Sequence, residues 1–223
     1  MSSLPANPSG AGCHASGDSA RRVVILGIGN VLWADEGFGV RCVERIQQEY
    51  EFGPEVEIID GGTQGLYLIH HVQSADALLI FDAIDWGYAP GTLMVARDDE
   101  VPAYMGAKKM SLHQTGFQEV LALAQFTGRF PANVALVGCQ PEQLEDYGGS
   151  LRPSIKATLP EAIERGLALL REWGVGFAPR TTPLSEQEAV TLPHLRMDRY
   201  EAERPSEEDA CRTGDARFMP ARA

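Results

Sequence analysis

Short apolar runs alternate with longer stretches whose apolar residues fall at helical spacing. Val23-Val24-Ile25-Leu26 is a continuous apolar run broken at Gly27-Ile28-Gly29-Asn30, the pattern of a buried strand entering a tight loop. A helix is predicted over 37–50, where Val40, Val43, Ile46 and Tyr50 share one face. The same period recurs in Phe117, Val120, Leu121 and Ala124, and again in Ile155, Leu159, Ile163, Leu167 and Leu170. Further strands are predicted at 56–59, 77–81, 93–96 and 134–137, each β-branched or Leu-rich with Gly or Asp close behind.

This alternation predicts an α/β three-layer sandwich, a mostly parallel five-stranded sheet with helices on both faces. Only about ten residues separate the third and fourth strands, too few for a helical crossover, so that pair is expected to be antiparallel with the fourth strand at an edge. The folded unit is expected over 21–176. Residues 1–20 are rich in Ser, Gly, Ala and Pro and are expected to form a flexible tail. Residues 177–223, Pro-, Arg- and Glu-rich without a sustained period, are expected to be a mobile or weakly attached extension.

Charge narrows the choice of partner. A formal net charge of −12 repels phosphate backbones and anionic lipid, which argues against nucleic acid. No run reaches the roughly 20 apolar residues of a membrane span, and the first 20 residues lack the apolar stretch of a signal peptide, so a cytoplasmic protein without membrane insertion is expected. Cys13, Cys42, Cys139 and Cys211 form no C-x-x-C pair and read as reduced thiols, Cys42 and Cys139 in the core.

In open α/β sheets, functional groups gather at the C-terminal ends of the parallel strands. Three polar clusters are predicted there. The first loop begins like a dinucleotide fingerprint but has Leu32 where the third glycine belongs, and Asp35-Glu36-Gly37 puts two carboxylates where a pyrophosphate would dock. Those carboxylates suit a cation, or Asp35 simply caps the helix. Asp82-Ala83-Ile84-Asp85 follows the third strand, and Asp82 reads as a rim carboxylate or a turn-former, with an Asp82/Asp85 protease dyad weakly supported by spacing. Ser111-Leu112-His113-Gln114 precedes the helix through Phe117, and a lone His is commonly structural. Gathered on one rim, Glu36, Asp82 and His113 would give two oxygens and one nitrogen, a set suited to a borderline divalent metal with open positions. His70-His71 read as structural, and neither H-E-x-x-H nor G-x-S-x-G is present.

Gly27-Ile-Gly-Asn30, Asp35-Glu36-Gly37, Asp60-Gly-Gly-Thr63, Asp82-Ala83, Ser111-Leu112-His113-Gln114 and the segment from Gly128-Arg-Phe-Pro131 to Gly138-Cys-Gln-Pro141 together resemble the NiFe-hydrogenase maturation endopeptidases over about residues 22–174. The resemblance implies a twisted five-stranded sheet between helices. It implies an enzyme that removes a short C-terminal peptide from the nickel-loaded large-subunit precursor of a NiFe hydrogenase. Glu36, Asp82 and His113 would be its nickel-contacting and catalytic residues, and Asp60, Gly61, Gly62 and Thr63 its substrate-facing loop. Nickel would arrive with the precursor and report that it is loaded; whether it also polarises the scissile carbonyl or activates water stays open. A monomer suffices for such an enzyme. Rival classes are a nickel chaperone or scaffold using the same ligands without proteolysis, and a nucleotide-dependent enzyme of Rossmann-like fold.

Overall fold

The structure, a computed structural model, describes residues 21–105 and 112–205; the side chains of residues 104 and 112–115 lie outside that description, as do Cys13 and Cys211. In chain order the elements are β1 (Val23–Ile28), α1 (Phe38–Glu49), β2 (Tyr50–Phe52), β3 (Val56–Gly62), α2 (Ile69–Ser74), β4 (Ala77–Ala83) and β5 (Leu93–Arg97). They continue with α3 (Val101–Met105), α4 (Leu112–Phe126), β6 (Asn133–Cys139), α5 (Pro153–Lys156), α6 (Leu159–Glu172), β7 (Phe177–Pro179) and α7 (Met197–Glu203).

Five strands form one sheet in the order β3-β1-β4-β6-β5. β1 pairs in parallel with β3 and β4, and β4 in parallel with β6. Every residue of β1 and β4 is buried, as expected of central strands covered on both faces. Successive side chains alternate between two cores. Val23, Ile25, Leu79, Phe81 and Val137 pack under α1 and α6, whereas Val24, Leu26, Leu78, Ile80 and Leu136 pack with Val72 of α2 and with Phe117, Val120 and Leu121 of α4. Each fully buried side chain of this size stabilises by about 1.5–3 kcal/mol, so the two cores hold the helices on their faces. Gly166 on α6 gives Phe81 its seat, because a Cβ there would lie 2.4 Å from the ring tip.

The fourth strand, β5, is antiparallel and at the edge, but its neighbour differs from the expected one. It pairs with β6, which inserts between β4 and β5. The short 84–92 connection therefore reverses the chain and skips one strand position, leaving a gap that the later strand fills. The helix predicted from Ile155 to Leu170 is interrupted: α5 ends at Lys156 and α6 begins at Leu159, with Pro160 in its first turn, where a missing N–H costs nothing.

Residues 177–205, the described part of the extension, are held to the domain. β7 pairs antiparallel with β2. Beyond it the chain crosses the outer face of α1: Arg180 donates to the Gln47 and Tyr50 carbonyls, and Val190 N–H donates to Gln47 Oε1 at 2.8 Å. Beneath this strap Arg41 and Glu44 are 3% and 6% exposed, a pair that would face water without it. Arg41 donates to Glu44 Oε2 at 2.8 Å and to the Leu195 carbonyl at 2.6 Å, while Glu44 Oε1 accepts Met197 N–H at 3.0 Å. Farther on, Glu201 accepts from Lys156 and Ser150. Among the described residues no helix is long and apolar enough to cross a membrane.

Candidate active site

The loop after β1 brings α1 unusually close to the sheet. Gly29 has φ of +136°, a conformation that side chains disfavour, and a Cβ there would strike the Glu36 carbonyl. At the start of α1 a Cβ on Gly39 would lie 2.1 Å from the Phe81 carbonyl oxygen and 2.3 Å from that of Ile28. Only glycine fits there. The 3-10 turn Ala34–Gly37, which carries Glu36, thereby abuts the end of β4, where Asp82 follows Phe81. Glu36 thus sits in a turn just ahead of α1.

Asp35 does not cap the helix. Its fully buried carboxylate accepts three backbone N–H groups, from Glu142 (2.9 Å), Gln143 (2.8 Å) and Arg152 (2.7 Å). It latches the 141–152 loop onto the first loop, and the bond from Asp35 N–H to the Gln143 carbonyl closes the same junction. Burial raises its pKa above the usual aspartate value despite the three donors and Arg152, which lower it. Glu36 is half-buried, and burial pushes its carboxyl up to about 7. Asp82 is wholly buried in the last turn of strand before the rim. Two carboxylates drawn from water on adjoining elements are hard oxygen donors of the kind a divalent cation takes.

Asp85 has another task. Its Oδ1 accepts Gly87 N–H and one Gln140 amide hydrogen, while Gln140 Oε1 accepts from Trp86 and Tyr88 N–H at 2.8 and 3.1 Å. Gln140 therefore clamps the loop after β4 to the end of β6, which explains Asp85 as a turn-former and accounts for a residue that periodicity alone does not single out. Its one sequence signal is the Cys139-Gln140-Pro141 break at a strand end.

His113 lies in the first turn of α4, which begins earlier than the Phe117 pattern suggested. The Cα of Gly116, three residues on, would lie 3.8 Å from a Cβ on Gly65, just beyond the end of β3. The backbone of this turn therefore borders the same rim, while the imidazole is outside the described residues. Among the described residues no group of three His, Cys, Asp or Glu side chains could hold a metal ion.

Asp60 and Gly61 belong to β3, opposite Gly27, and Thr63 beyond them is exposed. Burial lifts the Asp60 carboxyl to about 6; Gly62 N–H, Arg41 and Thr191 pull it down and Glu44 pushes it up. Exposed aromatic residues stand on the segments that follow three strands: Tyr67 after β3, Tyr88 after β4 and Tyr147 after β6, the last edge-on to Trp33 at 5.4 Å. Cys42 and Cys139 are free and buried, and burial raises both thiols, Cys139 to about 11, so neither is an activated nucleophile. His70 and His71 lie on α2, where His71 Nδ1 is 3.4 Å from Glu57.

A mostly parallel sheet covered on both faces, with carboxylates at its C-terminal rim, defines an open-sheet α/β protein. The family model described as hydrogenase maturation protease matches residues 40–169, and the chain belongs to that family. It is 67% identical over 198 residues to the hydrogenase expression/formation protein HoxM of Cupriavidus necator, a match covering 89% of this chain and 98% of that protein. The hydrogenase 2 maturation protease of Escherichia coli is 47% identical over 160 residues, 71% of this chain and 96% of that one. The solved structure of the hydrogenase maturating endopeptidase HybD from E. coli superposes with a TM-score of 0.68 at 46% identity, over 72% of this chain and 98% of that chain. These relationships identify an endopeptidase and remove the nucleotide-dependent reading.

Proposed function

We propose that this cytoplasmic, monomeric endopeptidase removes a short C-terminal peptide from the nickel-loaded large-subunit precursor of a NiFe hydrogenase, with Glu36, Asp82 and His113 contacting the precursor's nickel. The observation that carries the ligand assignment is the seating of Gly39 against the Phe81 carbonyl, which brings the turn bearing Glu36 to the strand end bearing Asp82. The start of α4, with His113, borders that rim. Nickel is part of the substrate: bound by the precursor, it serves as a cationic recognition element that reports a loaded precursor. Glu36 and Asp82 would contact that centre from the rim, where an arriving cation offsets the burial that raises the Glu36 carboxyl. The 60–63 segment, together with Tyr67, Tyr88 and Tyr147, offers the adjacent surface to the precursor chain.

The test mixes purified protein with nickel-loaded and nickel-free precursor and follows large-subunit mass. Shortening only of the loaded form is expected, and Glu36→Gln, Asp82→Asn and His113→Ala are each expected to stop it while keeping the fold. A nickel chaperone would leave the precursor at full length. Normal cleavage by all three variants would end the ligand assignment.

A further inference from the structure

The turn that carries Glu36 has an uncommon backbone. Ala34 has φ of +41°, the left-handed region that a side chain enters rarely and at a cost, and it does so while buried. Glu36 follows two residues later, and its N–H donates to the Trp33 carbonyl at 2.9 Å, so the rotation at Ala34 sets where the Glu36 backbone lies. A left-handed alanine persists only where its surroundings hold it.

Two holds flank it. On one side stands Asp35, fixed by its three backbone donors. On the other, Trp33 forms an isolated antiparallel bridge with Tyr147, and Gly148 N–H donates to the Leu32 carbonyl at 2.8 Å. The Trp33 and Tyr147 rings meet edge-on with centroids 5.4 Å apart. Tyr147 is anchored in turn, since its neighbour Asp146 is buried and accepts from Arg152 at 2.8 Å. An aromatic pair of this geometry is worth about two- to twelvefold in an equilibrium, and a left-handed turn at a non-glycine residue costs about five- to thirtyfold. With magnitudes this close, losing the ring pair shifts the population of the turn by a measurable amount.

We propose that Trp33 and Tyr147 are positioning residues: their clasp keeps Ala34 left-handed and thereby aims Glu36 at the rim beside Asp82. The proposal rests on the function given above, in which Glu36 contacts the precursor's nickel. Neither ring need touch the reacting atoms, because both act through the course of the 33–36 backbone.

The test uses full-length protein carrying Tyr147→Ala, Tyr147→Phe, or Tyr147→Ala together with Ala34→Gly. Cleavage of nickel-loaded precursor is followed by large-subunit mass at varied precursor concentration, and opening of the turn by hydrogen–deuterium exchange at the Glu36 amide. Tyr147→Ala is expected to lower kcat about five- to tenfold with KM within about twofold, and to speed Glu36 exchange by a similar factor. Tyr147→Phe keeps the ring and is expected to stay within about twofold of wild type. Adding Ala34→Gly is expected to bring kcat back to within about twofold, because glycine meets no left-handed penalty; a ring of structural value alone gives no such recovery. Tyr147→Ala should melt within about 4 °C of wild type, as the side chain is 52% exposed. Should it unfold, Tyr147→Leu, which keeps apolar bulk without the ring, is expected to lower kcat in the same direction and to be rescued in the same way. A rise in KM with kcat unchanged would overturn the proposal, as would unchanged exchange at Glu36 or failure of Ala34→Gly to restore kcat. Wild-type protein that binds the precursor without shortening it would refute the proteolytic reading, while Glu36 exchange across the same variants would still decide the clasp.

Discussion

Asp35→Ala tests whether the latch between two loops holds the rim together. The carboxylate is fully buried and satisfies three backbone N–H groups on a segment more than a hundred residues away in sequence. Removing it strands those donors, each at about 1–3 kcal/mol, and because they share one acceptor group the costs are not simply additive. A loss of about 3–5 kcal/mol is expected, a large share of the 5–15 kcal/mol typical of a domain. For a chain of this size that corresponds to a fall in Tm of about 6–20 °C. Urea unfolding followed by circular dichroism measures it directly. Asp35→Asn, which keeps one oxygen, is expected to lose less. A loss below about 1 kcal/mol in Asp35→Ala would refute the latch, because it would mean that the N–H groups find water or other partners without cost.

Three further outcomes are expected. Glu36 has its carboxyl raised from 4.5 to about 7, so folding favours the protonated form; that contribution is complete below about pH 4.5 and is lost as pH rises through about 7. Metal-free Glu36→Gln is therefore expected to match the wild type at pH 4 and to exceed it by about 1–2 kcal/mol at pH 8, after allowing for partial exposure; parallel stability profiles would contradict this. Gly39→Ala must push α1 off the Phe81 and Ile28 carbonyls, and a cost of about 1–3 kcal/mol or more with a sharp loss of processing is expected in melting and cleavage assays. Arg41→Ala leaves Glu44 buried without its cation, at about 3–5 kcal/mol, and limited trypsin digestion is expected to cut the loosened strap; resistance equal to wild type would show that the pair does not anchor it.

The core elements were legible because each rests on local pattern: continuous burial marked β1 and β4, and the 3.6-residue period marked α1 and α6. Strand order was not, since nothing in residues 82–97 announces that β6 will return between β4 and β5. The candidate rim was marked by polar clusters expected at the strand ends, whereas the close approach of α1 at Gly29 and Gly39 appears only in the fold. The role of Asp35 was left open between cation ligand and helix cap, because its partners are Glu142, Gln143 and Arg152, a relation that no local window contains. The strap escaped for a similar reason. Apart from Phe177 and Met197, which pack on the core, it is held to α1 by polar bonds from Arg180, Val190 and Met197, which leave no hydrophobic period to detect. Arg41 and Glu44, read along α1 alone, look like solvated charges.

The crossing of α1 by the strap also has a bearing on synthesis. Arg41 and the Leu195 carbonyl that covers it are 154 positions apart, so during translation the helix emerges long before its lid exists. Before the strap is made, the outer side of the helix presents hydrated charges in place of apolar surface, the kind of surface that resists association of partly folded chains. The later strap withdraws that ion pair from water.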